Sequence, residues 1–207
     1  LLGPTPVFAQ SPFITTWETP TAHESITSPT KGGPDVTDYD FEIRWGDGTT
    51  EQISGDDPDP SHEYSSAGTH QVEISTSGSG EAFPRISLGN GSSSNARKLQ
   101  SIDQWGSIRW ESMASAFAGA ANMTYSAKDD PDLSSVTSMQ GMFRSCRSFN
   151  GDIGSWDVSN VEDMEATFSN ADSFNRDIGN WEVSSVKNMS FMFRGAGLFN
   201  KSIIGWN

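Results

Sequence analysis

Three histidines, one cysteine and two groups of carboxylates are the residues of this chain with the chemistry to make or break bonds or hold a metal. A nucleophilic Cys146 needs an imidazole poised to take its proton, and no histidine occurs between 71 and 207. His23, His62 and His70 all precede that stretch, and none stands at motif spacing from a nucleophile. Asp56, Asp57, Asp59 and Glu63 could hold calcium, but an EF-hand loop needs a glycine at its sixth position and a glutamate at its twelfth. The prolines among these acids suit a solvated turn, and Asp129, Asp130 and Asp132 beside Pro131 read the same way. The sequence therefore predicts no catalytic residue, no metal and no cofactor.

The aromatic residues offer a different chemistry. Trp156, Trp181 and Trp206 recur at a fixed step, and such a column could stack on sugar rings. Each of the first two, however, is in phase with an apolar residue two positions on, Val158 and Val183. That phase favours the core over a ligand platform.

The column belongs to a repeat that organises residues 139–207. Met139 and Phe143 recur as Met164 and Phe168, then as Met189 and Phe193, 25 residues apart each time. Phe149-Asn150, Phe174-Asn175 and Phe199-Asn200 keep step, as do Ile153, Ile178 and Ile203. A period of this length with apolar residues locked to phase marks a stacked array, because one unit cannot bury its apolar face alone. Cys146 shares its column with Ala171 and Ala196, so it reads as a small buried residue, and a lone thiol forms no internal disulfide. The three asparagines predict a ladder of side-chain amides bonding between units.

Within a unit, Val161, Met164 and Phe168 follow helical spacing, with Ser159 and Glu162 placed as a capping box. Trp156 and Val158 then alternate with polar residues as a short strand would. An imperfect first copy uses Met113, Phe117 and Met123, with an extra residue before the next copy. These residues resemble the repeat of BspA-like leucine-rich-repeat surface proteins over roughly 99–207. The resemblance implies a helix-and-strand solenoid of about four coils, bacterial surface location and adhesion, with no catalytic residues.

Earlier in the chain, Tyr39, Phe41, Ile43 and Trp45 alternate with polar residues, predicting a half-buried strand. Gly46, Asp47 and Gly48 then turn the chain, and Val72 with Ile74 marks a second strand. The set Trp45, Gly46, Asp47, Gly48, Thr49, with His62, Tyr64 and Gly68-Thr69, resembles a polycystic-kidney-disease (PKD) domain. That resemblance implies a small immunoglobulin-like sandwich used as a spacer.

The expected plan is thus mixed α and β: a signal-peptide remnant at 1–9, a PKD-like β-sandwich at 10–88, a linker at 89–98 and the leucine-rich-repeat-like solenoid at 99–207. Charge narrows the partners. With 27 Asp plus Glu against 13 Lys plus Arg the net charge is −14, which opposes phosphate backbones and anionic membranes. No apolar run is long enough to span a bilayer. The reading is a non-enzymatic secreted or cell-surface binding protein with an unknown protein or glycan ligand, open to end-to-end self-association through its last coil. Two alternatives are an accessory region of a larger secreted hydrolase and a structural stalk component.

Overall fold

The computed structural model describes residues 10–30, 39–55, 59–76, 82–90 and 93–206. The expected leader at 1–9 and the acids Asp56 and Asp57 lie outside them. Strand β1 (Phe13–Thr19) buries Phe13, Thr15, Trp17 and Thr19 on one face, the alternation of a half-buried strand. It is followed by β2 (Glu24–Thr27), β3 (Tyr39–Arg44), β4 (Thr50–Gly55), β5 (Ser61–Tyr64), β6 (Gly68–Thr76) and β7 (Ala82–Phe83). One α-helix, α1 (Ser93–Lys98), leads into β8 (Leu99–Gln104), β9 (Arg109–Trp110) and β10 (Thr124–Tyr125).

The main sheet has six strands in the order β10-β8-β1-β6-β3-β4. Only β10 and β8 run parallel within it. Strands β2 and β5 form an antiparallel pair, and β7 with β9 a parallel one. An immunoglobulin-like sandwich over 10–88 is therefore not what forms. The sheet takes β8 and β10 from beyond residue 98, and β1 pairs with β6 on one side and β8 on the other.

The stretch 89–98 fastens these strands together. The Asn95 side chain accepts from the Thr27 N–H at 3.1 Å and donates to the Thr27 carbonyl at 2.8 Å, as another strand would. Lys98 lies 2.6 Å from Glu24 and donates to the Ser25 carbonyl at 2.9 Å. Phe13 of β1 stacks on Trp105 at 5.4 Å and meets the edge of Trp110 at 5.1 Å. One apolar core runs unbroken from Phe13 to Met192.

Beyond β10 the chain holds turns bonded from unit to unit. Met139, Gly141, Phe143 and Ser145 donate their N–H groups to the carbonyls of Asp163, Glu165, Thr167 and Ser169. Met164, Ala166, Phe168 and Asn170 do the same to Asn188, Ser190, Met192 and Arg194. The residues between them bond inside their own turn, Met142 to Met139 and Arg144 to Gly141. Phe117, Phe143, Phe168 and Phe193 stack in file at 5.8, 5.6 and 5.7 Å.

This geometry corrects the expected helix-and-strand solenoid. Ala166 and Asn170 have φ of 53° and 56°, so 161–168 cannot wind as a right-handed helix. Ser159 donates to Asp157, and Glu162 accepts Lys187 of the next unit at 2.7 Å rather than closing a capping box. Trp156 and Val158 sit in turns closed by bonds from Trp156 to Ile153 and from Val161 to Val158, not in a strand. The molecule is mostly sheet and turn, and α1 is the one α-helix among the described residues.

Candidate interaction surface

The Trp45-Gly-Asp-Gly turn lies at the end of β3. Gly46 takes φ 85°, and a Cβ there would lie 2.5 Å from the Gln71 carbonyl oxygen, so the backbones of β3 and β6 can meet only at glycine. Asp47 accepts the Thr49 N–H at 2.9 Å and meets His62 Nε2 at 2.7 Å. The Thr49 bond first, and then the His62 contact, hold the Asp47 carboxyl down to about 2. His62 stacks on Trp45 and abuts Tyr64, whose hydroxyl donates to the Trp45 carbonyl at 2.7 Å. His70 stacks on Tyr64 and meets Thr19 Oγ1 at 2.8 Å, and burial lowers its pKa. The sequence placed Trp45 and Asp47 in one turn. It did not reveal their meeting with His62, because that pairing depends on how β5 folds back.

Among the described residues, the remaining chemistry-bearing side chains have local partners. His23 is exposed beside Glu63 at 3.0 Å. The Cys146 thiol is fully buried, donates to the Phe117 carbonyl at 3.0 Å, and burial raises its pKa. Asp129 accepts the backbone N–H groups of Trp105 and Gly106. Asp130 takes the Ser155 hydroxyl, and Asp132 the Ser134 N–H. Asp59 accepts the Thr30 N–H at 2.9 Å. No group of three metal-ligating side chains occurs among the described residues.

The repeat columns resolve into three ladders. The side-chain oxygens of Asn150 and Asn175 accept the backbone N–H groups of Asn175 and Asn200 at 3.0 and 2.9 Å, a side-chain-to-backbone version of the expected amide ladder. The indoles of Trp181 and Trp206 donate to the carbonyls of Ile153 and Ile178. Phe149, Phe174 and Phe199 stack at 5.8 Å. Ile153, Trp156, Ile178 and Trp181 are buried, which removes the indoles of Trp156 and Trp181 from any sugar, while Trp206 is half-buried.

The last described unit differs from the others. Phe191 and Leu198 are each 61% exposed and Ile204 is 94% exposed. Met189, Phe191, Phe193, Arg194, Ile203 and Trp206 line an open apolar hollow, and the Arg194 guanidinium lies over the Phe191 ring at 5.6 Å. Phe191 has φ 59° in the column where Gly141 and Ala166 have 60° and 53°. The ladder thus imposes a left-handed backbone even on a bulky residue. Sequence reasoning marked Phe193 and Ile203 but missed Phe191, Leu198 and Ile204, which belong to no repeating apolar column.

These features define a protein of stacked 25-residue turn units built onto a mixed sheet. The chain belongs to the family described as "Mycoplasma protein of unknown function, DUF285", whose model matches residues 93–207. The family is of a surface-protein type. The described residues form neither a PKD-like domain nor a leucine-rich-repeat solenoid, so of the expected likeness the match supports only the BspA-like surface-protein family over the second half of the chain. No curated protein and no solved structure matches the chain. No helix among the described residues is long and apolar enough to cross a membrane.

Proposed function

We propose that this chain is a non-enzymatic binding protein, secreted or held at a bacterial cell surface, that recognises a protein ligand through apolar side chains exposed on residues 189–206. The observation that carries this reading is the set Phe191, Leu198, Ile203 and Ile204, apolar side chains open to solvent where the other large ones among the described residues are wholly or partly buried. Exposed apolar clusters rimmed by polar residues mark interaction sites, and Arg194, Asn200 and Lys201 supply polar neighbours here. The surface-protein type of the family supports the location. Acidic charge favours a protein ligand over nucleic acid or an anionic membrane. The test is a binding panel of extracellular proteins and glycans against immobilised chain. Saturable binding to a protein, lost in Leu198→Asp with Ile204→Asp, is expected. Binding indifferent to both changes, or substrate turnover abolished by His62→Ala, would overturn the reading.

A further inference from the structure

We infer that a hollow of about 600 Å³ between α1 and the first two repeat units binds a small acidic saccharide, one carrying a single carboxylate or sulfate group. The site is separate from the apolar side chains at 189–206, and the inference does not depend on the protein-binding reading above. Two arginines line the hollow from different elements, Arg97 from the last turn of α1 and Arg147 from the second unit. No carboxylate lines it, although the chain carries 27 Asp plus Glu against 13 Lys plus Arg. The Arg97 guanidinium has no partner among the described residues. Arg147 Nε lies 3.8 Å from Asp172, too long for a hydrogen bond, and both side chains are more than half exposed, so the pair contributes little. Both planar forks are therefore free to take an anionic group in paired N–H bonds.

The other lining groups choose between kinds of anion. The hydroxyls of Ser145 and Ser148 have no hydrogen-bond partner among the described residues. Asn122 donates from Nδ2 to the Arg97 carbonyl at 2.9 Å, which leaves its side-chain oxygen to accept. Gly119 and Ala121 complete the wall, so no large apolar side chain waits for an apolar group. The main chain around the hollow is already paired. Gly119 and Ser145 donate their N–H groups to the carbonyls of Arg144 and Ser169, Ser148 donates to Ala121, and the Arg147 carbonyl receives Ser173. A peptide that binds by strand addition needs unpaired main chain, whereas a sugar needs what is offered here, hydroxyl and amide groups beside cations. The volume is that of a small-molecule site. A long polyanion is disfavoured, because its further charges would lie over a chain of net charge −14. The adjoining hollow shares Arg97 and Asn122 but adds Glu18 and Glu24, which confines the acid group to the first.

Four probes titrated into the whole chain separate the acid from the ring: glucuronic acid, sulfated glucose, glucose and inorganic sulfate. At least one of the two sugar acids should bind saturably, shift the amide NMR signals of Asn122, Ser145 and Ser148, and bind about tenfold or more tightly than glucose or sulfate. Arg97→Gln and Arg147→Gln should each weaken that binding by about tenfold or more, since each removes a charged hydrogen-bond donor. Both side chains are exposed, so the variants should melt with the parent. Leu198→Asp with Ile204→Asp should leave the affinity for the sugar acid unchanged, whatever it does to protein binding. No saturable binding of either acid up to about 10 mM would overturn the inference. Inorganic sulfate matching the sugar acids would also overturn it, by showing an anion site that ignores the ring. A Glu-Glu dipeptide matching them would make a peptide the occupant, and undiminished binding in either arginine variant would place the sugar elsewhere.

Discussion

The indole N–H of Trp181 donates to the carbonyl oxygen of Ile153, one unit back, at 3.0 Å. Trp206 repeats the bond to Ile178 at 3.1 Å. Two tryptophans of a column that could have faced a ligand, Trp181 and Trp206, are thereby fasteners between units. Trp181→Phe keeps a ring in the core and deletes only the donor. It should cost about 1–3 kcal/mol, the penalty of stranding a buried acceptor, less what the Ile153 carbonyl retains through the bond it accepts from the Trp156 N–H. Urea denaturation measures it, and an unchanged midpoint would show that the bond carries no stability.

Phe168 lies between Phe143 at 5.6 Å and Phe193 at 5.7 Å, with Phe174 stacked against it at 4.1 Å. Phe168→Ala empties the middle of that file and should destabilise by about 3–5 kcal/mol. A loss below about 1 kcal/mol would mean that the units do not depend on one another's rings.

Two glycines give opposite expectations. A Cβ on Gly154 would sit 2.5 Å from the Asp177 carbonyl oxygen of the next unit, whereas one on Gly197 meets nothing within 4 Å. Gly154→Ala should lower the melting temperature by several degrees, since a shift of about 4–8 °C accompanies each 1 kcal/mol in a small domain and about half that in a larger one. Gly197→Ala should leave it within about a degree. Equal effects would refute the close approach of the two units at Gly154.

The Asp47 carboxyl titrates near 2 in the fold against an ordinary 3.8, chiefly because the Thr49 N–H bonds to it. A depressed carboxylate adds stability above its unfolded value, and that stability is lost as pH falls through the folded one. The chain should therefore weaken between about pH 4 and 2, and Asp47→Asn should flatten part of that slope. Asp157 and Glu182 are also lowered, by their bonds to Ser159 and Ser184, so some slope persists in the variant. Identical pH profiles for the two proteins would contradict the Asp47 geometry.

Parts of this structure were legible from residue order. Tyr39, Phe41 and Ile43 alternate, and β3 forms there with all three buried. The step from Met113 to Met139 is 26 positions against 25 from Met139 to Met164, and the first copy also differs in structure, its Thr124–Tyr125 forming β10 against β8. The pairing of β1 with β8 was not legible, because it joins Thr15 to Ile102 across most of the first half and depends on alternatives no local pattern ranks. The helix at 161–168 was misread for a physical reason. Apolar spacings of three and four arise equally from turns in which left-handed residues such as Ala166 interrupt the right-handed path. Only backbone handedness separates the two, and alanine does not announce it.

The central claim is that N–H groups at alternate residues bridge successive units. Residue-resolved hydrogen exchange on the chain alone tests it most directly. The amides of Met139, Gly141, Phe143 and Ser145, and of Met164, Ala166, Phe168 and Asn170, should be protected. Those of Met189, Phe191, Phe193 and Gly195 should exchange fast, while Met192, Arg194 and Ala196, which bond within their own turn, exchange more slowly. Fast exchange throughout 139–170 would break the ladder itself, and uniform protection across 189–196 would show that the face is already closed.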